Sequence, residues 1–77
     1  MRELDLIVLT RDLPRHGLKT GDVGAVVHCY SDQHAYEIEF VTAEGKPLAV
    51  LTLTESEIRP FSQKEILHSR EIPPLPD

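Results

Sequence analysis

Four histidines and a single cysteine are the side chains in this sequence best suited to metal or nucleophilic chemistry: His16, His28, His34, His68 and Cys29. An ion such as zinc needs three or four such ligands converging on one point. Only His28 and His34 are near enough in sequence to meet across one hairpin, with Cys29 beside the first. Adjacent strand residues point to opposite faces, so His28 and Cys29 cannot easily share an ion. No recognised ligand spacing is present either, and neither a metal nor a cofactor is expected. On a core-facing side of its strand, Cys29 is a small, inert apolar residue rather than a nucleophile.

Glu37 and Glu39 lie two apart on one strand and share a side. Glycoside chemistry needs carboxylates opposed across a cleft, which a chain this short cannot build and desolvate alone. Gly21 and Gly24 lack the lysine and hydroxyl residue that complete a phosphate loop. These readings together predict a protein that is not an enzyme. The pattern left over is one of charge. Arg11, Arg15, His16 and Lys19 fall within residues 11–19, while Glu37 and Glu39 form an acidic strip. These six are the candidate partner-binding residues.

The elements that must position them fit one small domain. The chain has 77 residues and a formal net charge of -5. An acidic balance argues against a general binder of nucleic-acid backbone, whose affinity rests on lysine and arginine. No stretch is long and apolar enough to span a bilayer as a helix. The segment MRELDLIVLT is interrupted by Glu3 and Asp5, and reads as a strand rather than a signal peptide. One cysteine forms no internal disulfide and suits a reducing compartment, the cytoplasm.

Leu4, Leu6 and Val8 alternate with Asp5, Ile7 and Leu9, a strand covered on both faces at least in part. Pro14 and Gly17 break the pattern and predict an exposed loop, with Leu13 and Leu18 tucked against the body of the protein. Thr20-Gly21-Asp22 turns into a strand over Val23 to Tyr30, with Val23, Ala25, Val27 and Cys29 on one face and Gly24, Val26, His28 and Tyr30 on the other. Gly24 marks a bend or a close backbone approach. Ser31 to His34 makes a hairpin connection. Tyr36, Ile38 and Phe40 form an apolar inner face opposite Glu37 and Glu39. A turn at Ala43-Glu44-Gly45-Lys46 leads to a fourth strand over Leu48 to Leu53, with Pro47 at its start. Thr54 and Glu57 form a capping box for a single 3₁₀ turn, and Ile58 to Phe61 close the sheet against the first strand. The expected fold is all-β: a small five-stranded SH3-like barrel over residues 1–61, with a C-terminal tail over 62–77. Ser62 and Glu65, with Phe61 and Ile66 as a staple, predict a short helix over Gln63 to Ser69. The stretch from Glu71 to Asp77 is then an extended proline-rich arm.

Lys19 to Val27, KTGDVGAVV, resembles the turn and strand that open many SH3-like barrels, including KOW modules and small barrel subunits of photosystem I and ferredoxin-thioredoxin reductase. A closer resemblance runs from about Leu4 to Pro60. Leu6-Ile7-Val8-Leu9-Thr10, Asp12-Leu13-Pro14, Gly17-Leu18, Gly21-Asp22-Val23-Gly24, Ala35 to Phe40 and Leu51-Thr52-Leu53 together resemble the bacterial family named domain of unknown function 4926. The resemblance implies a stand-alone SH3-like protein with no assigned activity. Some members are encoded beside a second small protein in what look like toxin–antitoxin or immunity pairs. It brings no catalytic residue with it.

The function expected is therefore a non-catalytic protein-interaction module, in the manner of the antitoxin, immunity or regulatory member of a two-protein system. Its partner would be a protein encoded by an adjacent gene. The alternative is a KOW-like nucleic-acid-binding module using the basic loop. The apolar tail and an open sheet edge also point towards a homodimer.

Overall fold

The computed structural model describes residues 1–30 and 34–72. Five strands follow one another: β1 (Leu6–Leu9), β2 (Val23–Tyr30), β3 (Ala35–Val41), β4 (Pro47–Thr54) and β5 (Ile58–Pro60). All pairings are antiparallel, and the sheet order is β4-β3-β2-β1-β5. Short 3₁₀ turns at Pro14–His16 and Glu55–Glu57 complete the regular structure of the described residues.

Side-chain convergence makes the sheet barrel-like. Ile7 and Leu9 from β1, Val26 from β2, Ile38 and Phe40 from β3, Leu53 from β4 and Ile58 from β5 form one buried cluster with Leu18. β4 and β5 are the two outermost strands. A flat sheet cannot bring residues from its opposite margins into one cluster, so this sheet must twist and curl around them. β1 is buried over Ile7, Val8 and Leu9 consecutively, as its unbroken apolar run predicts.

The turns follow from local chemistry. Leu13 and Leu18 exchange backbone hydrogen bonds of 2.8 and 3.2 Å and pinch the first loop at its base. Gly17 takes a left-handed φ of 68° there, a conformation glycine adopts without steric cost. Just outside the Leu13–Leu18 pair, Asp12 closes the neck of the loop by accepting from the Thr20 amide at 2.8 Å and its hydroxyl at 3.0 Å. The Thr54–Glu57 capping box forms, with the Thr54 amide donating to Glu57 Oε1 at 3.0 Å.

Three expectations are corrected. Leu4 does not belong to the first strand: it lies in a turn with φ of 72° and is 81% exposed. Asp5 is the reason, since its amide donates to the Arg2 carbonyl and its carboxylate accepts from the Arg2 amide. The even alternation of β2 also fails. Val26 pairs with Ile38 and His28 with Glu37, so Val27 is an extra, bulged residue. Beyond the bulge, Cys29 rather than His28 turns towards the core. The helix over 63–69 is absent. Ser62 and Glu65 close a single turn, with the Ser62 amide donating to Glu65 Oε1 at 2.8 Å and the Glu65 amide to the Ser62 carbonyl at 3.0 Å. Ile66 is 93% exposed, so the Phe61–Ile66 staple is not made and nothing stabilises further turns. The expected hairpin residues 31–33 and the arm beyond Ile72 lie outside the described residues.

Candidate functional site

Asp22 is the one charged or polar residue buried among those described, at 6% exposure. It stands where the first loop enters β2, and the backbone fixes it there. The Leu9 amide donates to its carbonyl at 2.9 Å, and its own amide donates to the Lys19 carbonyl at 3.0 Å. Its carboxylate accepts from the Lys19 amide at 2.8 Å. A buried carboxylate with a single neutral donor would be costly, so further partners are required.

They come from the tail. The Arg70 guanidinium reaches back across 48 residues of sequence and binds Asp22 with two nitrogens, Nε at 2.9 Å from Oδ1 and Nη2 against Oδ2. Nη2 also donates to the Gly17 carbonyl at 2.7 Å. His68 Nε2 lies 3.3 Å from Asp22 Oδ1. This two-pronged fork is the geometry for which arginine is suited and lysine is not. Burial pushes the Asp22 carboxyl up, but the Arg70 hydrogen bonds, the Lys19 amide and the nearby positive charge outweigh it, leaving the pKa below the ordinary 3.8. The same contact raises Arg70 above its ordinary value.

Residues 68–72 thereby form one side of a groove of about 630 Å³. The barrel side includes Leu18, Asp22, Val23, Phe40 and Leu48, and Ile72 of the tail also lines it. The arrangement can hold an extended polypeptide: a deep carboxylate and a carbonyl for a guanidinium, with apolar surface alongside. Among the described residues, no group of three or more His, Cys, Asp or Glu is placed to hold a metal ion.

The structure divides the residues singled out from sequence between two elements. Arg11 lies 3.7 Å from Glu57, and Arg15 and His16 belong to the 3₁₀ turn of the first loop. Lys19 exposes its side chain while its backbone amide serves Asp22. Glu37 and Glu39 instead lie in β3, between β2 and β4. Glu37 stands opposite His28 and accepts from the Tyr30 hydroxyl at 3.3 Å. His28 packs edge-on against Tyr30 at 4.6 Å. His34 instead lies 3.2 Å from Glu55, which also accepts from the Tyr36 hydroxyl. Burial, then the Glu55 charge and hydrogen bond, push the Tyr36 phenol up.

A family model described as a domain of unknown function, DUF4926, matches residues 3–60. The chain belongs to the DUF4926 family. No curated protein matches it, and no solved structure does. The matched span of this DUF4926 protein contains the whole sheet and Asp22, whereas Arg70 and His68 lie beyond it. Sequence reasoning did not find the pair: Asp22 reads as an ordinary turn residue, and Arg70 sits in a tail with no periodicity to link it to the sheet. The one available signal was a carboxylate next to a strand that is otherwise apolar.

Proposed function

We propose that this DUF4926 protein is a non-catalytic protein-interaction module. The observation that carries the reading is the tail itself, since the barrel surface already seats residues 68–72 of its own chain beside a buried carboxylate. The acidic charge of the chain favours a basic partner, because complementary charge speeds encounter and selects among partners. A partner encoded by the neighbouring gene, with this chain as its antitoxin, immunity or regulatory counterpart in the cytoplasm, fits that charge and the family resemblance. The test is direct mixing of the two purified proteins, read by mass in solution and by titration calorimetry. A stoichiometric complex is expected. Two proteins that migrate independently at micromolar concentration defeat the reading.

Exposed Arg15 and Lys19 favour a second reading, a KOW-like module that binds nucleic acid through the first loop. Arg11 is drawn towards Glu57, which weakens the basic patch. Titration with mixed RNA and DNA at low salt, the condition most favourable to such binding, discriminates the two. The same mass measurement tests pairing of two copies along β4, whose residues 47–54 carry no charge to discourage it.

A further inference from the structure

We infer that the groove beside Asp22 is a receptor site for an extended, arginine-bearing segment of another protein, and that the chain's own residues 68–72 guard it as an intramolecular competitor. The inference rests on the reading of the barrel as an interaction module and specifies which surface is used and what chemistry it takes.

The acceptors all belong to the barrel and its first loop. The Asp22 carboxylate is oriented by the Lys19 amide, and the Gly17 carbonyl stands within reach of the same guanidinium. Two acceptors at fixed spacing select a planar fork over a point charge. Leu18, Phe40 and Leu48 of the barrel and Ile72 of the tail line the same groove, so an aliphatic residue shortly after the arginine has apolar neighbours there.

The guard is attached in a way that allows release. Residues 66 and 67 leading to it are exposed, Ile66 at 93% and Leu67 at 66%. The segment before them is fastened by Glu65 to Arg59, through two hydrogen bonds of 2.7 Å, and not to the groove. Opening therefore breaks the contacts of residues 68–72 and leaves the β-sheet intact. Charge complementarity identifies the occupant as cationic: the buried end of the groove is a carboxylate held in its ionised form. A tethered competitor lowers the apparent affinity of any ligand by the fraction of chains that are open.

The experiment uses a fluorescent peptide of residues 66–72, titrated into three full-length proteins: wild type, Arg70→Ala and Asp22→Asn. Arg70→Ala loosens the guard and leaves the acceptors in place, so it should bind the peptide at least tenfold more tightly than wild type. Asp22→Asn should bind tenfold or more weakly than Arg70→Ala. A peptide with glutamine in place of its arginine should lose binding to Arg70→Ala. That arm decides the matter even if Asp22→Asn does not fold. Equal peptide affinity for wild type and Arg70→Ala, no binding to either, or binding indifferent to the peptide's arginine each overturns the inference. So does a wild-type chain of dimeric mass whose tails are exchanged between copies. If the neighbouring gene product still binds while the peptide does not, the interaction-module reading stands and the groove assignment alone fails.

Discussion

Replacing Gly24 with alanine tests how tightly β2 lies against β3. A β-carbon at this position would fall 2.6 Å from Ile38 Cγ2, 2.9 Å from Phe40 Cε1 and 3.1 Å from the Glu39 carbonyl oxygen. Carbon atoms in ordinary contact sit about 3.5–4.0 Å apart, so the first two approaches are short by roughly 0.5–1.5 Å. Neither side chain has room to retreat, since Ile38 is fully buried and Phe40 is 2% exposed. The Glu39 oxygen is backbone in a strand paired on both sides, and it cannot yield alone. Overpacking of this kind costs about 1–3 kcal/mol. Alanine also narrows the unfolded ensemble, which offsets about 0.4–1 kcal/mol. With two approaches under 3.0 Å to buried side chains the overpacking cost falls in the upper half of its range, and the expected net loss is about 1–2.6 kcal/mol. In a domain of this size each kcal/mol lowers Tm by about 4–8 °C. Urea and thermal unfolding followed by circular dichroism read the change. Adding Phe40→Leu to Gly24→Ala should cost less than the two single changes summed, because the shorter side chain vacates the contested space. A Gly24→Ala protein with the wild-type midpoint, or a double variant with strictly additive losses, would refute the packing argument.

Other outcomes follow from single contacts. Leu4→Gly should leave stability unchanged or raise it by up to about 1 kcal/mol, because a left-handed leucine is strained and this one buries little; Leu9→Ala, in the core, should cost about 2–5 kcal/mol, and urea midpoints of the two compare turn with strand. The Arg59 fork, then the Ser62 amide, hold Glu65 down to about 2, against an ordinary 4.5. A lowered carboxyl stabilises the folded form above its ordinary value, and the contribution fades as pH falls from about 4.5 towards 2. Carboxyl titration by NMR should show that low midpoint, and Arg59→Gln should raise it towards the ordinary value, short of it by what the Ser62 amide still contributes. Asp22 is lowered for its own reasons, so the tail contact is complete above about pH 4 and is lost as the carboxylate protonates in stronger acid. Nitrogen NMR of the Arg70 Nε–H, which donates to Asp22, should show that bond breaking on acidification before the strand amides lose protection. Simultaneous loss would mean that tail and sheet unfold as one unit.

Much of the sheet was readable because its signals are local. Tyr36, Ile38 and Phe40 alternate with Glu37 and Glu39, and that period fixed both the strand and its inner face. Gly45 takes the expected left-handed φ, at 83°, in the turn between β3 and β4. Thr54 and Glu57 specified the last turn for the same reason: capping is a contact between near neighbours. The bulge at Val27 was hidden, because valine and histidine are both acceptable on either face and only the partner strand reveals the extra residue. Ser62 and Glu65 made the local contacts of a helix start, but a helix of this length needs a surface to dock on, and Ile66 found none. The position of Asp22 beside an apolar strand hinted at a buried carboxylate, but its pairing with Arg70 was not legible, since neither residue's neighbours carry any trace of the other.

The bulge in β2 also sets where this strand tolerates a change in length. Val27 and His28 both face outward, one after the other. An in-frame deletion of Val27 would leave Val26 and Cys29 facing inward and His28 and Tyr30 outward, merely regularising the ladder. Deleting Ala25 instead, between two inward positions, would turn over one flank of the strand relative to the other. Length variants among related chains should therefore cluster at this step of β2, where a codon can be lost without exchanging the wet side for the dry one.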